Sequence, residues 1–255
     1  MSTSPRPTVL FVPGGVTPAA PSYAPLLQTL DGEVQPILKD LELYATDAPP
    51  ADYSLQLEAD GIGRAADAAG VQRFHLVGYS GGAACSLAFV AQHPERVASL
   101  ALTEPAWIGS VPPQDAASWA ELEHILTLPP AEQMQGFLRW HFRPGIDPPA
   151  PPASAEPPPP WMAKRPAGLK ALQRTFATYK LDQSRFRLFK APVYYALGSL
   201  SSRFFEHEAQ VLAGLFPNFR LEEYDGRSHF DPPQRAEPER FANALKALWK
   251  RAQAA

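Results

Sequence analysis

Residues 73–97, RFHLVGYSGGAACSLAFVAQHPERV, hold an apolar run, a serine set among glycines, and a second, longer apolar stretch. Phe74 to Val77 has the length and composition of a buried strand, and Gly82 to Gln92 reads as a buried helix. Between them Gly78-Tyr79-Ser80-Gly81-Gly82 fits the pattern G-x-S-x-G. In a strand-to-helix context such a turn is sharp and strained, lifts the serine hydroxyl above the sheet edge, and needs small neighbours because its flanks pack closely. A serine that merely caps the helix would leave the same five residues. A phosphate loop is the weaker rival, because no Gly-Lys-Ser/Thr follows. The partners of Ser80 elsewhere in the chain therefore decide its reading.

Outward from this segment, short strand patterns alternate with helical ones. Thr8 to Val12, Glu33 to Leu38 (weakened by Pro36), Val97 to Thr103, Val193 to Leu197 and Phe219 to Tyr224 read as the other strands. Leu55 to Ala69, Phe204 to Phe216 and Pro238 to Arg251 read as helices. Helices of this length between strands imply parallel pairing, because each crossover must cover a sheet face. The fold class is α/β, with a mostly parallel central sheet of about six strands flanked by helices. The alternation breaks at residues 107–188, where Asp115 to Leu126, Ala131 to Phe142 and Gly168 to Leu181 are helical patterns. One domain is expected, with a core of about 8–106 and 189–252 and a helical insertion of about 107–188. The proline-rich stretch 144–160, PGIDPPAPPASAEPPPP, lacks apolar periodicity and reads as an exposed, extended connection.

A serine hydroxyl is a poor nucleophile until a base takes its proton. Of six histidines, His229 in DGRSHFDPP follows the last strand in a polar turn, where a loop brings it over the sheet edge. His75, His93, His124, His141 and His207 read as packing or surface residues, and none shows a metal-binding spacing. A third group, a carboxylate, is needed to orient the imidazole and stabilise its protonated form. After the strand VYYAL the chain runs Gly198-Ser199-Leu200-Ser201-Ser202-Arg203, with no acid. Glu104 in LALTEPAW stands directly after the preceding strand, with Pro105 fixing the chain direction behind it. Asp225, Glu206 and Glu208 are the fallbacks. Negative charge on a reacting oxygen needs backbone amides already aimed at it. Gly81 offers one at the start of the helix after Ser80. Gly15, with Val16 as the alternative, offers the second from the loop after the first strand.

The chain has 255 residues, 45% of them hydrophobic, which is ample for a sizeable core. A net charge of -3 without a long Lys/Arg cluster argues against nucleic acid or an anionic membrane as partner, and points to a small, uncharged molecule. The N-terminal apolar run is too short for a signal peptide, and nowhere do about 18 apolar residues follow one another, so a cytoplasmic location is expected. Cys85, the single cysteine, cannot form an internal disulfide.

Taken together, PGG, GYSGG, HPERV, EP and GRSHF, in that order, resemble the α/β-hydrolase superfamily over about residues 8 to 110 and 190 to 252. The resemblance implies Ser80 as nucleophile, His229 as base, and Gly15 with Gly81 as oxyanion donors. It implies Glu104 as the acid, by similarity to members whose acid follows the strand before the cap, and it makes the insertion the family's variable cap. Pro13 stands where a histidine often precedes the oxyanion glycine, and Lys39 to Pro50 replaces the Asp-x-x-Gly-x-Gly-x-Ser stretch. Because residue 80 is Ser and not Asp, an aspartate-ester mechanism of the haloalkane dehalogenase or epoxide hydrolase kind is not expected. Acyl chemistry without cofactor or metal is. Tyr79, Trp107 and Trp140 are expected to meet an ester or lactone of modest size and apolar character. Hydrolysis of a carbon–carbon bond, perhydrolysis, and a non-catalytic ligand receptor are the alternatives.

Overall fold

Six β-rich runs assemble into one sheet. The computed structural model describes residues 6–149 and 157–254. In chain order the elements are β1 (Thr8–Val12), α1 (Ala19–Thr29), β2 (Gln35–Leu38), α2 (Leu55–Ala68), β3 (Phe74–Tyr79), α3 (Gly81–Gln92) and β4 (Val97–Thr103). Then come α4 (Ala116–Ile125), α5 (Pro130–Trp140), α6 (Arg165–Thr178), β5 (Val193–Gly198), α7 (Arg203–Leu215), β6 (Phe219–Tyr224), α8 (Pro233–Ala236) and α9 (Pro238–Gln253). All pairings are parallel, in the order β2-β1-β3-β4-β5-β6. Pro36 has no amide to give a ladder, and β2 accordingly lies at the sheet edge.

Successive residues of β1 face opposite sides of the sheet. Leu10 and Val12 join Ile62, Leu87 and Phe89 under α2 and α3. Val9 and Phe11 join Tyr23, Leu26, Phe241 and Leu245 under α1 and α9. Each of these side chains contributes about 1.5–3 kcal/mol by leaving water, so both layers are held to the sheet. The helices α4, α5 and α6 interrupt the alternation between β4 and β5. No helix among the described residues is long and apolar enough to cross a membrane.

Two differences from the sequence reading have physical causes. Helix α1 carries prolines at 21 and 25 and follows Pro18, which hides its pattern. Pro21 falls in the first turn, where no intrahelical amide is needed, and Tyr23 and Leu26 are fully buried beneath α9. Strands β3 and β5 run on to Tyr79 and Gly198, because Gly78↔Leu102 and Gly198↔Tyr224 continue the ladders despite weak β-propensity. The proline-rich segment lies partly outside the described residues; on either side of it, 146–149 and 157–159 have no regular structure.

Candidate active site

Ser80 sits between β3 and α3 with φ 52° and ψ -120°, a conformation that costs a non-glycine residue on the order of 1–3 kcal/mol. Its main chain is over-determined. The Ser80 amide donates to Thr103 O at 2.9 Å, and the Ser80 carbonyl accepts from Ala83, Ala84 and Ala106 at 3.0–3.1 Å. The outer glycines of the motif are places where backbones touch. A Cβ on Gly82 would stand 2.3 Å from Pro13 O and 2.5 Å from Val12 O, and one on Gly78 would stand 2.6 Å from Ser86 Oγ and 2.7 Å from Ala83 Cα. The hydroxyl is therefore held at the carboxyl end of the sheet by packing that only these residues permit.

Two of the contacts to Ser80, from Thr103 and Ala106, flank Glu104. Glu104 also has positive φ, 42°, and no other non-glycine residue among those described shares that feature with Ser80. The twist turns its side chain back under the sheet edge, where it is 1% exposed. Its Oε1 accepts from the Gly198 amide at 2.7 Å, and its Oε2 lies 2.8 Å from His229 Nδ1. A carboxylate accepts, so Nδ1 carries the proton and Nε2 is left to accept from Ser80 Oγ, 3.0 Å away. The three side chains thus form one hydrogen-bonded line across the ends of β3, β4 and β6.

None of the fallback acids is bonded to His229. Asp225 is exposed and accepts from Ser199 Oγ, while Glu206 pairs with Arg143. Glu208 is buried with both oxygens unpartnered among the described residues, and burial holds its carboxyl well above the usual range. Burial also raises the Glu104 carboxyl, against the opposing pull of the Ser201 hydroxyl and the Gly198 amide. It pushes the His229 imidazole down, so at rest the ring is a neutral base.

Two rings that also touch each other pack against that imidazole. Phe205 stacks on it with centroids 4.6 Å apart and planes 7° from parallel, and His141 lies 4.5 Å away on a 36° tilt. Tyr79 Oη donates to the His229 carbonyl and steadies the loop. His141, which the sequence places among packing residues, comes from the end of α5. Its Nδ1 donates to Phe137 O at 2.7 Å, and burial together with His229 holds it neutral. Neither His141 nor Phe205 stands out in the sequence, since each belongs to an ordinary apolar helical face and meets His229 only through tertiary packing.

Gly15 and Gly81 come together over the serine. A Cβ on Gly81 would stand 3.5 Å from the Gly15 nitrogen, and neither amide donates to a backbone carbonyl among the described residues. Tyr44 Oη donates to Gly15 O, and Arg165 Nε to Val16 O, so the loop is pinned from two sides. Gly15, Val16, Ser80 and His229 open onto a cavity of about 340 Å³ walled by α4, α5 and α6, with Leu122, Phe137, Trp140, Leu169, Leu172 and Phe176 among its lining. Tyr79 and Trp140 line it. Trp107 does not: it stacks on the back of Phe176 at 5.3 Å and faces a separate depression, because the chain turns away directly after Glu104. The arrangement can move a proton from a serine hydroxyl to a buried neutral imidazole and place two free amides beside a reacting carbonyl.

A family model described as alpha/beta hydrolase fold matches residues 7–148. No curated protein matches the chain. Among solved structures, the chain is similar to an esterase from Thermogutta terrifontis at 15% identity, covering 96% of this chain and 90% of that one, with a TM-score of 0.69. An alpha/beta hydrolase from Sphaerobacter thermophilus gives 22% identity, 95% and 92% coverage and a TM-score of 0.67. Carboxylesterase CesB from Bacillus subtilis gives 16%, 95% and 83%, and 0.64. At these identities the likeness is one of fold.

Proposed function

The chain belongs to the alpha/beta hydrolase fold family, and from that premise we propose that it is a serine hydrolase cleaving a small, largely apolar ester or lactone through an acyl-enzyme. The observation that carries this reading is the line Ser80 Oγ to His229 Nε2 to Glu104 Oε2, at 3.0 and 2.8 Å. Ser80 attacks the carbonyl as His229 takes its proton, and Glu104 stabilises the imidazolium. The Gly15 and Gly81 amides receive the oxyanion. His229 then returns the proton to the leaving alcohol and, in the second half, activates water against the acyl-enzyme. Residues 107–188 act as a cap, whose apolar lining sets the size of the acyl group.

The test is hydrolysis of p-nitrophenyl esters from acetate to decanoate, alongside labelling by a fluorophosphonate. Wild type turns over and is labelled, while Ser80→Ala does neither. Glu104→Gln lowers kcat by roughly 10²–10⁴-fold, as expected when the group orienting the base is lost, and Asp225→Asn stays within about twofold, as a surface change should. Equal losses in the two acid variants would displace Glu104. An unlabelled wild type would move the chain to the receptor reading.

A further inference from the structure

The cavity above Ser80 is apolar over most of its wall, yet among the described residues two arginines and no Asp or Glu line it. Arg235 is exposed at the edge and donates to Phe230 O. Arg165, the first residue of α6, is different: it is only 5% exposed, and no carboxylate among the described residues lies within ion-pairing distance of it. Asp40, a neighbouring acid, is engaged with the Ala19 amide at 2.6 Å. The Arg165 Nη1 is buried without a hydrogen-bond partner among the described residues.

Arg165 also lines a second cavity of about 530 Å³ on the far side of the 13–18 loop, together with Lys39, Arg64 and Lys164. Each of those three is ion-paired: Lys39 with Glu42 and Glu58, Arg64 with Glu42, Lys164 with Asp47. A buried cation left without a counter-ion is costly. The cost is incurred here by a guanidinium that is already fixed, through Nε to Val16 O, over the Tyr44 ring at 3.7 Å, and beside the Trp161 ring at 4.8 Å. A rigid planar guanidinium at the wall of a cavity that no described Asp or Glu lines matches a carboxylate.

We propose that the substrates of this site carry a carboxylate that pairs with Arg165, so that the favoured esters are half-esters of dicarboxylic acids with an apolar spacer. This rests on the Ser80–His229 cavity being the substrate site. The apolar wall accepts the spacer, and Arg165, bonded to the residue after Gly15, holds the charged end while the ester carbonyl lies at the two amides. A single side chain would then both steady the oxyanion loop and select the acyl group.

The experiment compares monomethyl adipate with methyl hexanoate, which differ in a terminal carboxylate against a terminal methyl, by methanol release with wild type and Arg165→Gln. The readout is the ratio of the two kcat/KM values, because both esters depend equally on the loop that Arg165 supports. Wild type should prefer the half-ester by about 10- to 100-fold, the range of a hydrogen bond to a charged group, and Arg165→Gln should bring the ratio near one. A wild-type preference for methyl hexanoate, or a half-ester preference that survives Arg165→Gln, would overturn the assignment. Calorimetric titration of Ser80→Ala with adipate separates the two readings. Binding that Arg165→Gln abolishes in that background supports the anion site even if neither ester is cleaved, an outcome that would count against hydrolysis alone. Absence of binding together with an equal rate on both esters removes the anion site and leaves the hydrolase.

Discussion

At the scale of the residue, the proposed nucleophile and its acid are the two non-glycine positions held at positive φ among the described residues. Ser80 keeps that conformation only because Thr103, Ala83, Ala84 and Ala106 fix its peptide groups. Ser80→Gly should therefore be inactive and yet more stable than wild type by about 1 kcal/mol, the relieved strain being partly offset by the extra freedom of glycine in the unfolded chain. Thermal or urea unfolding reads this directly, and a less stable variant would show that the turn is not strained. The pH profile belongs to the same scale. The proposed catalysis needs neutral His229, and burial lowers its pKa, so activity is expected to be lost only as pH falls through that lowered value. The acidic limb of kcat/KM is expected below the ordinary histidine value of about 6.5. A midpoint at or above 7 would mean that Glu104 outweighs burial at the ring.

At the scale of the element, the contact of α3 with β1 is where the elbow is most sensitive. Gly82→Ala sets a methyl against two backbone carbonyls that cannot move aside. A loss of about 1–3 kcal/mol is expected from such overpacking, together with loss of turnover as Ser80 and Gly15 are pushed apart. A Tm within about 1 °C of wild type would contradict this, as such a shift corresponds to roughly 0.5 kcal/mol at this chain length. The same contact explains why so much was legible in the chain: G-x-S-x-G requires its glycines locally, so the pattern, the strand before it and the helix after it are written together. Glu104 could be reached because the stretch after β5 holds no acid. Helix α1 could not, because its prolines argue against it and only the layer beneath α9 argues for it. Arg165, His141 and Phe205 were beyond reach for a related reason: each meets the site through residues more than 20 positions away, and nothing local marks them.

At the scale of the molecule, the sheet and the insertion differ in how firmly they are held. Helix α3 is buried from Gly81 to Ala91, and β1, β3, β4 and β5 are almost wholly covered, whereas most of α5 is exposed or half-buried and Met134 stands 56% exposed. Local opening should therefore reach α4 and α5 well before the sheet. Hydrogen exchange by mass spectrometry should show these helices exchanging first and β3, β4 and α3 last; uniform protection would contradict this. The insertion is nonetheless stitched to the site. His141 O accepts from Ser202, Arg143 donates to Leu200 O, and Phe142 bridges Ser201, so the end of α5 is tied to the loop after Gly198, whose amide holds Glu104.

The chain order of the site, finally, makes the protein divisible. Everything up to α5 contains Ser80, Glu104 and both amides, and everything from α6 onward contains His229 and Arg165. Expressed as two polypeptides cut between those helices, neither piece would hold a working set, while reunion across the β4–β5 ladder would restore it. The insertion is thus a natural seam for a complementation reporter, in which colour from an ester records that two fused proteins have met.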